Sequence, residues 1–397
     1  MSDFFWLLLP LAAASGWLAA IKSFKKDKAK NNLETNPVYF RGLNHLLNEE
    51  PDKAIDVFVE MLEVDSDTVE THLALGNLFR KRGEVERAIR LHQNLIARPA
   101  LSKEHRGQAL LELGKDYMRA GLYDRAENLF KELKQIEMHV EHALKNLLTI
   151  YQQEKDWNAC LKTAESLEDF TGESQMLSRS QYYCELALIE KNIGQMHNAQ
   201  KHLEKALSVD QNCVRANHLM AQYTISIGDR NEAIRLLKLA VNQDPEYLPE
   251  VFSELLDTCE TPDDYENLYE FLMNIAIQNK NSGAELYLSE LIRKKDGDSA
   301  AFDFLLQSVS KTPSMQGLVR LVELQKYNSN LRDKDLLQNV HIHLKKLLRD
   351  NVDYQCAKCG FKAKTVHWQC PSCRTWSSLK RKPLIENENI SKSRDYS

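Results

Sequence analysis

Apolar and polar positions divide the chain into three stretches. Phe4 to Ile21 form an unbroken run of eighteen residues without a charge. From about residue 37 to residue 350, apolar positions recur every three or four residues, the period of an amphipathic helix. Beyond that the helical period gives way to a cysteine cluster. Within the helical stretch, small residues return at a longer interval. Leu75-Gly76 is followed by Gly83 and Ala88, Gly114 by Gly121 and Ala126, Ala187 by Gly194 and Ala199, and Ala221 by Gly228 and Ala233. Upstream, Gly42 is followed by Ala54 and Phe58, and a weaker copy carries Leu148, Tyr151, Trp157 and Cys160. The equivalent positions 42, 76, 114, 148, 187 and 221 are 34, 38, 34, 39 and 34 residues apart. Two further steps of 34 reach Leu255 and Ser289, after which Ala301 and Pro313 fall at the matching offsets.

Such an interval predicts paired helices. Small side chains at the eighth and twentieth positions let the two helices of a pair approach closely. Phe58, Tyr117, Phe130 and Tyr151 fill the space between pairs. Gly83, Gly121, Gly194 and Gly228 suit the turns, where positive φ is often required. The pattern over residues 37–315 resembles the tetratricopeptide repeat, with six clear copies and two degenerate ones. The resemblance implies a superhelix of helix pairs whose concave face binds a peptide or another protein. The periodicity at Leu318, Leu321, Val322 and Leu324, and again at Leu336, Leu337, Val340, Leu344 and Leu347, predicts capping helices over 316–350. The expected fold is therefore all-α, apart from the cysteine module.

Composition agrees with that fold. Gly 14 and Pro 10 are few for 397 residues, which argues against an all-β chain. The net charge of −5 conceals basic ends on an acidic body. Residues 1–30 sum to +3, residues 354–382 to +7 and residues 383–397 to −1, leaving −14 on residues 31–353. An acidic body is a poor surface for phosphate, so nucleic acid is not expected as its partner. The helical stretch holds no Gly-rich phosphate loop, no GxSxG and no HExxH, so no catalytic residue is assigned. His341 and His343 are two apart, wrong for one helical face. Glu49-Glu50 and Asp263-Asp264 read as turn and solvated charges. Cys160, Cys184, Cys213 and Cys259 read as core residues.

The N-terminal run has the properties of a membrane anchor. Eighteen helical residues span about 27 Å, close to the thickness of a hydrocarbon core. Trp6 and Trp17 lie toward its ends, where indoles favour the interface. Lys22, Lys25, Lys26, Lys28 and Lys30 follow the run, the reverse of a cleavable signal peptide. The positive-inside rule places these lysines and the rest of the chain in the cytoplasm, with the N-terminus outside.

Chemistry concentrates at the C-terminal end. Cys356-Ala-Lys-Cys359-Gly and Cys370-Pro-Ser-Cys373 form two CxxC knuckles separated by ten residues. Two knuckles supply four thiolates to one tetrahedral ion, iron or zinc. A disulfide reading is disfavoured in a reducing compartment. The CxxCG and CPxC segments resemble the knuckles of rubredoxin, but the short intervening loop argues for a structural site. A module of about 30 residues has little core of its own. Trp368, Trp376 and Phe361 are expected to dock it on the acidic helical body.

The order of parts resembles the lipopolysaccharide assembly protein B family. It comprises a membrane anchor (1–21), a basic linker (22–36), a repeat array (37–315), capping helices (316–350), a rubredoxin-like domain (351–382) and a disordered tail (383–397). The resemblance implies a single-pass inner-membrane protein facing the cytoplasm. It further implies an adaptor that promotes turnover of the lipid A pathway deacetylase by a membrane-bound AAA+ metalloprotease. Other lipopolysaccharide biosynthesis or transport proteins, and a second copy of the chain, are further expected partners. Cys356, Cys359, Cys370 and Cys373 are carried over as ligands. Two other readings stay open: a nucleic-acid-binding zinc ribbon, and a rubredoxin-type redox protein.

Overall fold

The computed structural model describes residues 37–48, 50, 53–55, 57, 69–99, 101–279, 283–311, 314–328, 331–350 and 353–381. The expected anchor, basic linker and polar tail lie outside these residues, as do Phe58 and Pro313. Among the described residues, no helix is long and apolar enough to cross a membrane. The chain divides into two compact units, one ending at Asp156 and the other beginning at Trp157.

The first unit contains α1 (Pro37–Leu47), α2 (Val69–Arg82), α3 (Val85–Ile96), α4 (Lys103–Arg119), α5 (Tyr123–Gln135) and α6 (Val140–Glu154). The second contains α7 (Trp157–Thr171), α8 (Met176–Asn192), α9 (Met196–Val209), α10 (Val214–Ser226) and α11 (Arg230–Gln243). It continues with α12 (Leu248–Thr258), α13 (Pro262–Gln278), α14 (Ala284–Asp296), α15 (Asp298–Lys311), α16 (Met315–Asn328) and α17 (Leu331–Asp350). A short sheet follows, formed by β1 (Tyr354–Cys356), β2 (Lys362–Ala363) and β3 (Leu379–Arg381).

The small residues lie where the helices of a pair meet. Ala54, Ala88, Ala126, Ala199, Ala233 and Ala301 are all buried. So are their partners Gly76, Gly114, Ala187 and Ala221. A Cβ on Gly114 would lie 2.6 Å from the Phe130 ring, so only hydrogen fits there. Gly121 turns the chain between α4 and α5 at φ 76°. The weaker fourth copy has Lys155 at φ 58° in the corresponding turn, a conformation with a steric cost for a side chain. With Leu255 at the position that Gly76, Gly114, Ala187 and Ala221 hold elsewhere, α12 and α13 do not approach as the pairs carrying those small residues do. Asp264 is a capping residue rather than a reactive carboxylate. Its backbone N–H bonds Thr261 Oγ1, and its side chain accepts from Thr261 N at 3.0 Å.

In the first unit a polar network crosses between neighbouring pairs. Arg80 donates to Asp116 at 2.7 Å and to Glu112 at 2.5 Å, and Asp116 also meets His92 Nδ1 at 2.5 Å. His92 and Asp116 are fully buried. His92 packs its imidazole against Gly76, as Phe130 packs against Gly114. Burial would raise the Glu112 carboxyl, but Lys115 and Arg80 overcome it and hold Glu112 below its ordinary value.

Candidate metal centre and its seat on the repeats

The cysteine module is a three-stranded antiparallel sheet with β1 at its centre. Its two knuckles share one backbone pattern. In the first, Gly360 N–H donates to Cys356 O at 2.9 Å and Cys356 N–H to Phe361 O at 2.8 Å. In the second, Arg374 N–H donates to Cys370 O at 2.8 Å and Cys370 N–H to Thr375 O at 3.0 Å. Both chains turn through a left-handed residue, Gly360 at φ 74° and Arg374 at φ 57°. The folded-back chain brings both sulfurs of each knuckle to the same side.

The four sulfurs converge. Cys356 and Cys373 are 3.6 Å apart, Cys359 and Cys370 are 3.7 Å apart, and all four lie within 4.8 Å of one another. A tetrahedron with metal–sulfur bonds of about 2.3 Å has edges of about 3.8 Å. The donor set therefore fits one tetrahedral ion with no position left for substrate. Neighbouring groups favour thiolates. Ser378 Oγ lies 3.3 Å from Cys356 Sγ and, with nearby backbone N–H groups, holds that thiol down to about 6. Thr375 Oγ1, 3.4 Å from Cys373 Sγ, lowers Cys373 as well. Burial pushes Cys370 up to about 11. The group best shielded from water is thus the one that most needs a metal to lose its proton.

The module is seated on the repeats of the second unit. Trp376 is 6% exposed and meets Trp157 and Tyr182 edge-on, with centroids 6.1 and 6.0 Å away. Trp157 and Tyr182 stack on each other at 5.9 Å. Trp368 lies 5.2 Å from the Tyr247 ring. The Arg215 guanidinium stands 5.7 Å from the Trp368 centroid and 6.0 Å from that of Trp376. Around these rings Tyr354 donates to Glu250 at 2.5 Å, and Lys380 to Asp244 at 2.9 Å. An antiparallel bridge between Gln369 and Trp376, with Ser377 N–H donating to Trp368 O at 2.7 Å, ties the two tryptophan segments together. Of the three aromatic residues expected to dock, Trp368 and Trp376 do so. Phe361 instead packs against the module's own core of Tyr354, Cys356, Ala363, Cys370 and Leu379. The reason is its place in the first knuckle, one residue beyond the Gly360 turn.

Sequence patterns identified the four cysteines and Gly360. They gave no sign of Arg374 as the second turn residue, because only glycine signals a left-handed turn reliably. Nor did they single out the hydroxyls of Thr375 and Ser378, or the Trp157–Tyr182 seat, which lies far from Trp376 in sequence.

A model of the rubredoxin metal binding domain matches residues 354–381. Tetratricopeptide repeat models match residues 71–106 and 180–213. Lipopolysaccharide assembly protein B of Escherichia coli K12 is 36% identical over 387 residues, covering 96% of this chain and 98% of that protein. The Haemophilus influenzae protein of the same name is 35% identical over 400 residues, 98% of this chain and 100% of its own length. Among solved structures, a tetratricopeptide repeat protein from Parabacteroides merdae is 11% identical. It covers 72% of this chain and 97% of that one, with a TM-score of 0.35.

Proposed function

Because the chain belongs to the lipopolysaccharide assembly protein B family, we propose that it is a membrane-tethered adaptor of lipopolysaccharide biosynthesis. The observation that carries this reading is the extent of the relationship, which runs through the repeats and the cysteine module alike. In this reading residues 4–21 anchor the chain in the inner membrane, and the lysines from Lys22 to Lys30 hold the remainder in the cytoplasm. The repeats bind protein partners. Cys356, Cys359, Cys370 and Cys373 hold one iron or zinc ion, which cross-links the two knuckles.

The adaptor promotes degradation of the lipid A pathway deacetylase by the membrane-bound AAA+ metalloprotease. It works by proximity: partners confined to one membrane plane meet at a raised effective concentration. In this reading the metal site is not a catalytic centre. Four thiolates close the metal site to substrate. The nucleic-acid reading finds less support, because Trp368 and Trp376, the surfaces on which bases would stack, are engaged with the repeats.

Purification of the native full-length chain in mild detergent, followed by mass spectrometry of its companions, tests the reading. Recovery of the protease, the deacetylase or other lipopolysaccharide enzymes is the expected result. Recovery of RNA and ribosomal proteins without those enzymes would overturn it.

A further inference from the structure

The metal site leaves four cysteines in the repeats, all buried. Cys160 and Cys259 belong to separate parts of the core. Cys184 and Cys213 do not lie apart. Cys184 projects from the middle of α8, and Cys213 is the residue that begins α10. The two share one buried cluster, in which each thiol influences the ionisation of the other.

Cys213 also borders a cavity of about 270 Å³ at the junction of the repeats and the cysteine module, with Gln181, Tyr247, His367, Ser377 and Arg381 among its walls. Cys213 therefore borders a space large enough for a small polar molecule, and Cys184 shares its buried cluster. The surroundings distinguish the two. The Cys184 thiol, aided by the Ala216 N–H at the start of α10, holds Cys213 down to about 7 against the effect of burial. The Cys213 sulfur, with burial, keeps Cys184 protonated well above the ordinary thiol range. Cys259, by contrast, is pushed up to about 11 by burial.

We propose that Cys213 and Cys184 form a redox-active pair, reached through the junction cavity, that closes to an intrachain disulfide when the protein meets a small hydroperoxide. The Cys213 thiolate attacks one peroxide oxygen. An S–O bond forms as the O–O bond breaks, and hydroxide leaves. The Cys184 sulfur then attacks the resulting sulfenic acid. The S–S bond forms, and the oxygen departs as water with the Cys184 proton. Two thiols lose two electrons and the peroxide gains two.

The position of the pair gives the change a route to the cysteine module. Gln181 Nε2 lies 3.5 Å from Cys213 Sγ and 3.4 Å from Ser377 Oγ. Its carbonyl accepts from Arg215 Nη1 at 3.2 Å, and Arg215 faces both docking tryptophans. Oxidation thus alters a sulfur held by the same side chain that touches the module.

The test uses the full-length, metal-loaded protein. It is exposed briefly to hydrogen peroxide, its remaining thiols are alkylated, and peptides are mapped without reduction. A Cys184–Cys213 cross-linked peptide is the expected product. In C184S, dimedone should trap a sulfenic acid at Cys213. Should that variant fold poorly, the wild-type chain still decides. At neutral pH its Cys213 should react with a small alkylating agent roughly ten-fold or more faster than Cys160 and Cys259, its internal controls. Equal labelling of the three, or oxidation of Cys213 beyond sulfenic acid without a cross-link, would overturn the proposal.

Discussion

Single positions decide how closely this chain can pack. Gly114 is the sharpest case, because a methyl group there would lie 2.6 Å from the Phe130 ring. Alanine improves helix propensity by about 1 kcal/mol, whereas overpacking a core costs about 1–3 kcal/mol. Gly114→Ala should therefore destabilise the first unit by up to about 2 kcal/mol, read as lost hydrogen-exchange protection across residues 103–135. Unchanged protection would mean that the ring moves aside freely. Glu112 is a different kind of constraint. Its folded pKa is held below the unfolded value of about 4.3 by Lys115 and Arg80. A depressed carboxylate stabilises the fold above its unfolded pKa, and that contribution disappears as pH falls through the folded value. Glu112→Gln should cost about 1–3 kcal/mol at neutral pH and make acid unfolding of α2–α5 shallower below about pH 4. An acid limb identical to that of the parent would show that the Arg80–Glu112 pair contributes nothing there.

Elements assemble from such positions with different degrees of legibility. The helix pairs could be read directly, because a close approach demands Gly or Ala at fixed intervals and leaves a period in the sequence. The knuckles could be read for the same reason, since metal geometry fixes cysteine spacing. The polar network of Arg80, Glu112, Asp116 and His92 left no period, and His92 looked like any surface histidine although it fills the place that Phe130 fills in the next pair. The pairing of Cys184 with Cys213 was equally invisible. It depends on two helix pairs stacking, and each cysteine alone has the spacing of a core residue. The docking of the cysteine module was foreseeable only in kind. A small sheet with a small core must borrow apolar contact, but which rings it borrows follows from tertiary structure. Trp376, packed on Trp157 and Tyr182, is one of the two rings that supply that contact. Trp376→Ala, by analogy with other large-to-small core substitutions, should cost about 3–5 kcal/mol. Amide protection of β1 and β3 should fall while α2–α5 keep theirs. A sheet that stays fully protected would show that the metal knuckles alone hold it.

For the molecule as a whole, the charge distribution is consistent with the proposed role. The basic module does not rest free on an acidic chain. Lys380 meets Asp244, and Tyr354 meets Glu250, so part of the complementarity is satisfied within the second unit. Its tryptophans are committed to the same contact. Among the described residues the repeats present the larger surface, and repeats of this kind bind proteins. The proposed tether, a protein-binding array and a closed metal site would jointly bring partners together. The most direct measurement is the half-life of the lipid A pathway deacetylase after protein synthesis is stopped, in cells lacking this chain and in the same cells supplied with it. The proposed role requires a half-life several-fold longer in its absence, restored by the full chain and not by Trp376→Ala if the seated module is needed. An equal half-life with and without the chain would contradict that role.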